Sequence, residues 1–199
     1  MSPEMTQRQQ EILRAAIDII ANEGYAALSM RALARANCMK LGALQYHFRT
    51  AEELMRNLVQ YIESAYEKSF EALRQSKDPL DLSTIVEFLL DDAPGKEWDA
   101  DRLWPQLWAM QQVEPLVSDL VEDLYGRYIN ELEAALKQVG SQHPRAEALA
   151  LMSMLEGSTV FLGRGRRWHA DATEVRAVLL DNITRTYSKP NKHNPGKSQ

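Results

Sequence analysis

The sequence predicts an all-α protein: a three-helix N-terminal helix-turn-helix domain followed by a C-terminal helical bundle, about nine helices in all. Three observations carry this expectation. Apolar residues recur at spacings of three and four along most of the chain, and no segment sustains period-2 alternation. Two short helical segments follow the first helix closely, with only a few residues between them. Start and stop signals at Gly24, Ser29, Thr50 and Gly140 bracket the periodic stretches.

The first helix is expected over residues 6–23, where Ile12, Leu13, Ala16, Ile17, Ile19 and Ile20 form a wide apolar stripe. Gly24 stops it in the C′ position. Ser29 caps a short helix reaching residue 36, and a second short helix follows at 40–48. Thr50-Ala51-Glu52-Glu53 fits a capping box, with Thr50 capping and Glu53 at N3. It opens a long helix with Leu54, Leu58, Tyr61, Ile62, Ala65, Tyr66, Phe70 and Leu73 at helical spacing, ended by Asp78-Pro79. A fifth helix at 80–90, a loop at 91–99 around Pro94-Gly95 and a sixth helix at 100–112 come next. The seventh, at 115–139, is amphipathic through Leu116, Leu120, Leu124, Tyr128, Leu132 and Leu136. The eighth, at 144–162, is apolar on most sides, and a ninth at 172–187 ends the ordered chain. The tail, 188–199, holds two prolines, a glycine and no apolar residue, which predicts disorder.

An apolar fraction of 45% with 26% charged residues is globular rather than disordered composition. Cys38 is the only cysteine, so no intramolecular disulfide forms and a reducing compartment is expected. The polar opening MSPEMTQRQQ has no apolar h-region, and the apolar stretch 149–163 is broken by Glu156. That stretch falls short of the roughly 18 apolar residues a membrane helix needs. A soluble cytoplasmic protein with no membrane partner is expected.

The net charge of −5 argues at first against nucleic acid, but its distribution reverses that reading. Residues 25–51 contain no Asp or Glu, while Arg31, Arg35, Lys40 and Arg49 give +4, so the remainder of the chain carries −9. A cationic island on an acidic protein suits one face that meets phosphate. A charge run is also simply a solvated face, and the pattern alone does not separate the two. The second short helix, Leu41-Gly42-Ala43-Leu44-Gln45-Tyr46-His47, suits a major groove. Gly42 and Ala43 permit close approach, and Gln45, Tyr46 and His47 supply hydrogen-bonding groups. A surface helix of an unrelated bundle would read similarly.

Residues 12–54 resemble the N-terminal domain of TetR-type repressors. Ile12-Leu13-x-Ala15-Ala16 is followed by Gly24-Tyr25-x-x-x-Ser29-x-Arg31-x-Leu33-Ala34. Gly42-x-Leu44-x-x-His47-Phe48 and Thr50-x-Glu52-x-Leu54 continue in register. The run 104–128 and Leu155-Glu156-Gly157 are similar to the choline-responsive BetI-type branch. The resemblance implies that Arg31, Leu41, Gly42, Ala43, Gln45 and Tyr46 face bases, while Ser29, Lys40 and His47 position the DNA backbone. It implies a helix-turn-helix DNA-binding domain at 1–50 and a ligand-binding and dimerisation domain at 51–187. The sequence departs from the family at the turn, where Asn37-Cys38-Met39-Lys40 replaces the usual Ala-Gly-Val-Ser. Asn tolerates the left-handed conformation better than Cys, which predicts a turn shifted by one residue. The usual tyrosine is Gln45, and the usual phosphate-anchoring lysine of the fourth helix is Ala51.

For the sensor half, the candidate ligand-binding residues are Tyr66, Trp104, Trp108, Met110, Met152, Leu155, Glu156 and Phe161. Trp104 and Trp108 share a helix face, and with a carboxylate such as Glu156 they suit a quaternary ammonium. Core packing is the plainer reading of each residue alone. A dimer seam is expected at Val175, Val178, Leu179, Asn182 and Ile183, because an eighth helix apolar nearly all round needs a partner. The cluster Arg164, Arg166 and Arg167 reads as a solvated loop. The histidines 47, 143, 169 and 193 are scattered without ligand spacing, so no metal, cofactor or catalytic residue is expected. The expectation is a ligand-responsive DNA-binding regulator, a repressor released from a pseudo-palindromic double-stranded operator by a small organic effector. The competing class is a small helical enzyme or ligand carrier that does not bind DNA.

Overall fold

A computed structural model describes residues 5–76, 79–91 and 98–187, and its elements there are all helical. The described residues form nine α-helices: α1 (Gln7–Glu23), α2 (Met30–Ala36), α3 (Leu41–His47), α4 (Ala51–Ser76), α5 (Leu82–Asp91), α6 (Ala100–Met110), α7 (Pro115–Gln138), α8 (Pro144–Leu162) and α9 (Ala172–Tyr187). The expected tail at 188–199 and the Pro94-Gly95 loop lie outside the described residues.

Local chemistry sets the helix ends. Thr6 caps α1 in a full capping box with Gln9. Gly24 ends the helix at φ 87°, a value that needs glycine. At α4, Thr50 Oγ1 accepts the Glu53 amide at 3.0 Å, but the Glu53 carboxylate reaches back past Thr50 to the Arg49 amide at 2.9 Å. The expected box is therefore stretched by one residue. The fifth helix starts at Leu82 rather than residue 80, because the Asp81 carboxylate takes the Thr84 amide and fixes the start there.

The chain forms two compact units. Among the described residues, the first comprises 5–76 and 98–126, where α1 packs on α2, α4 and α6. Its buried side chains include Ile12, Leu13, Ile17, Ile20, Leu33, Leu44, Phe48, Leu58, Ile62, Leu103 and Leu107. These packing units do not divide at residue 50, since α6 and the first half of α7 belong with the N-terminal helices. Among the described residues, the second unit comprises 79–91 and 127–187, with α5 against α9 and Arg176 paired to Asp91 at 3.0 Å. Its buried side chains include Ile85, Val86, Leu132, Leu136, Ala148, Leu151 and Ile183.

Candidate functional site

The two short helices pack together through Leu33 and Ala34 on α2 and Leu44 on α3, all buried, with Phe48 sealing the base at 0% exposure. Ser29 Oγ accepts the Ala32 amide at 3.1 Å, so this residue works as the α2 N-cap. The turn does not shift by one residue. Asn37 stays in the ordinary region at φ −92°, and Cys38 itself takes the left-handed conformation at φ 54°. The Met39 amide bonds to Ala34 O at 2.9 Å and the Cys38 amide to Arg35 O at 3.0 Å, which fixes the turn and overrides the residue preference. A side chain in this region costs about 1–2 kcal/mol relative to glycine. Asn37 instead spends its side chain on Leu33 O at 3.0 Å.

Burying Leu44 turns the rest of α3 outward. Gly42, Ala43, Gln45 and Tyr46 are exposed, Tyr46 at 87%, and Leu41 and His47 are half-buried. The His47 ring meets Tyr46 edge-on at 5.5 Å. A Cβ at Gly42 would meet nothing within 4 Å, so no internal contact requires this glycine. Glycine inside a helix costs about 1 kcal/mol relative to Ala. Lys40 stands exposed at the N-cap of α3, and Arg31 and Arg35 are exposed on α2. The outward surface of α3 thus joins small side chains, hydrogen-bonding groups and cations.

A second constellation occupies α4, α6 and α7 of the same unit. Trp104 Nε1 donates to Tyr66 Oη at 3.0 Å, both residues buried, and the Trp104 ring stacks on Tyr125 at 5.7 Å. Trp108 lies 6.4 Å from Trp104 and donates to Tyr125 Oη at 2.8 Å. Trp98, 4% exposed, packs against Tyr61 and Tyr66. Tyr66 on α4 and Trp104 and Trp108 on α6 therefore come together, and Met110 is buried at the end of α6. Sequence reading missed Trp98, which falls beside a Pro-Gly segment, and Tyr125, half-buried on α7. Met152 and Leu155 are buried in the second unit, and Glu156 is half-buried there. Phe161 is 56% exposed and rests on Trp168 at 6.1 Å.

Helix α6 also touches the end of α1. Arg102 Nη1 donates to Asn22 Oδ1 at 2.8 Å, and Gln106 lies against Gly24. The Tyr25 hydroxyl donates a short hydrogen bond to Glu114. Burial, together with this carboxylate acceptor, pushes the Tyr25 hydroxyl up to about 12. One side of α6 thus carries the aromatic cluster, and its other side and following loop hold the segment that leads into α2.

In the second unit apolar side chains stand exposed on α8, at Leu149, Met154, Val160 and Phe161, and on α9, at Val178. Val175 and Leu179 are half-buried and Asn182 is exposed. Ile183, expected in the outward seam, is instead buried at 4%, because it turns to the inner side of α9.

Two helices joined by a tight turn, the second presenting an open polar surface, on a larger helical body, define a helix-turn-helix transcriptional regulator. Residues 12–58 match the bacterial regulatory proteins of the tetR family, and residues 80–187 match the C-terminal domain of BetI-type transcriptional repressors. The chain belongs to the TetR family, with a C-terminal half of the BetI type. It is similar in fold to a TetR-family transcriptional regulator from Rhodococcus sp., at TM-score 0.69 and 18% identity over 89% of this chain and 99% of that one. A transcriptional regulator from Saccharomonospora viridis in complex with choline superposes at TM-score 0.71 and 20% identity, covering 94% of this chain and 97% of that one. Salmonella enterica GusR superposes at 0.68 and 20% identity, covering 95% and 98%. No curated protein matches the chain. Members of the family are ligand-responsive DNA-binding repressors, and among the described residues no helix is long and apolar enough to cross a membrane.

Proposed function

We propose that this chain is a homodimeric repressor that reads a pseudo-palindromic operator with α3 and leaves it when a small organic effector binds. The observation that supports this most is the outward surface of α3, where Tyr46 stands 87% exposed beside an open Gly42. Gly42 and Ala43 admit base edges closely; Arg31, Leu41, Gln45 and Tyr46 contact bases; Ser29, Lys40 and His47 hold phosphates. The functional division falls after residue 50, with residues 51–187 sensing and dimerising.

The effector is a hydrophobic or cationic organic molecule. The aromatic faces of Tyr66, Trp104 and Trp108 suit such a ligand, and the choline complex of the Saccharomonospora viridis regulator gives the same direction. Met110, buried at the end of α6, is a further candidate contact in the same unit. Because α6 carries these tryptophans and also Arg102 and Gln106, its displacement moves the segment leading into α2. The dimer forms through α8 and α9, where exposed Val178 stands with half-buried Val175 and Leu179 and exposed Asn182 on α9. Two heads then meet half-sites about 34–36 Å apart or a multiple of that spacing. Selection of bound fragments from the source genome, confirmed by mobility shift, tests the reading. Retained fragments should share an inverted repeat. Failure of every fragment to outcompete bulk DNA at low salt would sink it.

A further inference from the structure

Arg8 lies near the start of α1, far in sequence from the helix-turn-helix, and its guanidinium reaches the turn. Its Nη2 donates to the carbonyl oxygen of Asn37 at 3.3 Å, while its Nη1 is held by Glu11 at 2.7 Å. The Arg8 hydrogen bond keeps the Glu11 carboxyl below the usual carboxylate range, so the pair is charged at neutral pH. Glu11 thereby fixes which nitrogen is left for Asn37. The carbonyl that Arg8 binds sits directly before Cys38, a non-glycine residue held at φ 54°. Two residues further on, Lys40 is the N-cap of α3.

We infer that Arg8 is a positioning residue for the recognition helix: it clamps the Asn37 carbonyl so that a cysteine, rather than glycine, can hold the left-handed turn that aims α3. The inference rests on the DNA-binding reading of α3, yet it concerns a residue outside the interface. Rotation of the Asn37–Cys38 peptide would relieve the crowding of Cys38 Cβ, and within the turn the Cys38 amide bond to Arg35 O opposes it. Rotating this peptide would break the Cys38 amide bond to Arg35 O and, through the altered φ of Cys38, loosen the Met39 amide bond to Ala34 O and swing α3. A guanidinium anchored through α1 to the core opposes that rotation.

The test is a double-mutant cycle on the full chain. R8A should weaken binding of a selected fragment about three- to tenfold, the range expected on losing one exposed hydrogen bond of ordinary strength. The salt slope of binding should stay unchanged, since no phosphate contact is lost. In the C38G background, where the turn is unstrained, R8A should change affinity less than twofold; in C38A, which keeps Cβ, the loss should persist. Hydrogen exchange of the Met39 amide, read without DNA, should accelerate in R8A and recover in R8A/C38G. Failure of the parent to bind any fragment counts against the DNA-binding reading, whereas the exchange experiment tests the clamp independently of it. An equal loss in all three backgrounds, a salt slope reduced by about one, or unchanged Met39 exchange would each overturn the inference.

Discussion

Replacing Tyr46 by Ala separates recognition from folding, because the side chain is 87% exposed, with its ring edge-to-face with His47 at 5.5 Å. Little buried surface is lost, so the unfolding free energy should move by no more than about 0.5 kcal/mol. A contact to a base edge contributes about 1–3 kcal/mol of discrimination, which at 25 °C is about 5- to 150-fold in affinity for the right sequence. The assay is a competition mobility shift, with a selected fragment and a scrambled one measured at the same salt. Y46A should lose affinity for the selected fragment alone, with its urea midpoint unchanged. Two results would refute the reasoning. An equal loss on both DNAs would make Tyr46 a backbone contact, and a urea midpoint lowered by more than about 1 kcal/mol equivalent would make it a structural residue.

Other consequences follow from the same geometry. Val178→Glu places a charge on a side chain 53% exposed in the monomer, so the fold should persist while sedimentation shows monomers and operator binding is lost; a dimer retained at micromolar concentration counts against the seam. Tyr66→Phe leaves the buried Trp104 Nε1 without its acceptor and should cost about 1–3 kcal/mol in chemical unfolding, whereas Tyr125→Phe, whose partner Trp108 is half-buried, should cost less. Trp108→Ala should abolish the fluorescence response to candidate amines and leave DNA affinity unchanged; a parent released only by a sugar phosphate or a metal ion would contradict the effector class. Tyr25 and Tyr187 both have hydroxyls pushed up to about 12 from 10, chiefly by burial. Each holds its proton more tightly folded than unfolded, so the associated stability is complete below pH 10 and is lost between pH 10 and about 12. Tyr25→Phe should flatten the fall of the urea midpoint across that window.

The helices were legible in the sequence wherever apolar periodicity met a capping residue. Ser29 and Gly24 mark the ends of α2 and α1 by chemistry that acts within a few residues, and α8 and α9 begin and end where the pattern stops. The turn was misread for a physical reason. Residue preference favoured Asn37 for the left-handed position, but the hydrogen bonds of Met39 and Cys38 to the end of α2 settle the conformation, and Cys38 bears the strain. Burial of Ile183 was equally invisible, since helical spacing gives a face but not which of two neighbouring surfaces it meets. The aromatic cluster was half legible: Trp104 and Trp108 share a helix face by spacing, while Trp98 and Tyr125 join them only through tertiary packing. The contacts of Arg102 with Asn22 and of Glu114 with Tyr25 are long-range, and no local pattern announces them.

The salt dependence of binding to a selected fragment tests the central claim most directly. Lys40 stands exposed at the N-cap of α3, on a segment of +4 in a chain of −5. Plotted as log affinity against log salt concentration, the parent should give a steep negative slope, because each neutralised phosphate contributes about −0.9. Lys40→Ala should weaken selected and scrambled DNA alike and make the slope shallower by about one. A parent slope near zero, or a Lys40→Ala line that overlays the parent, would contradict the placement of DNA on this face.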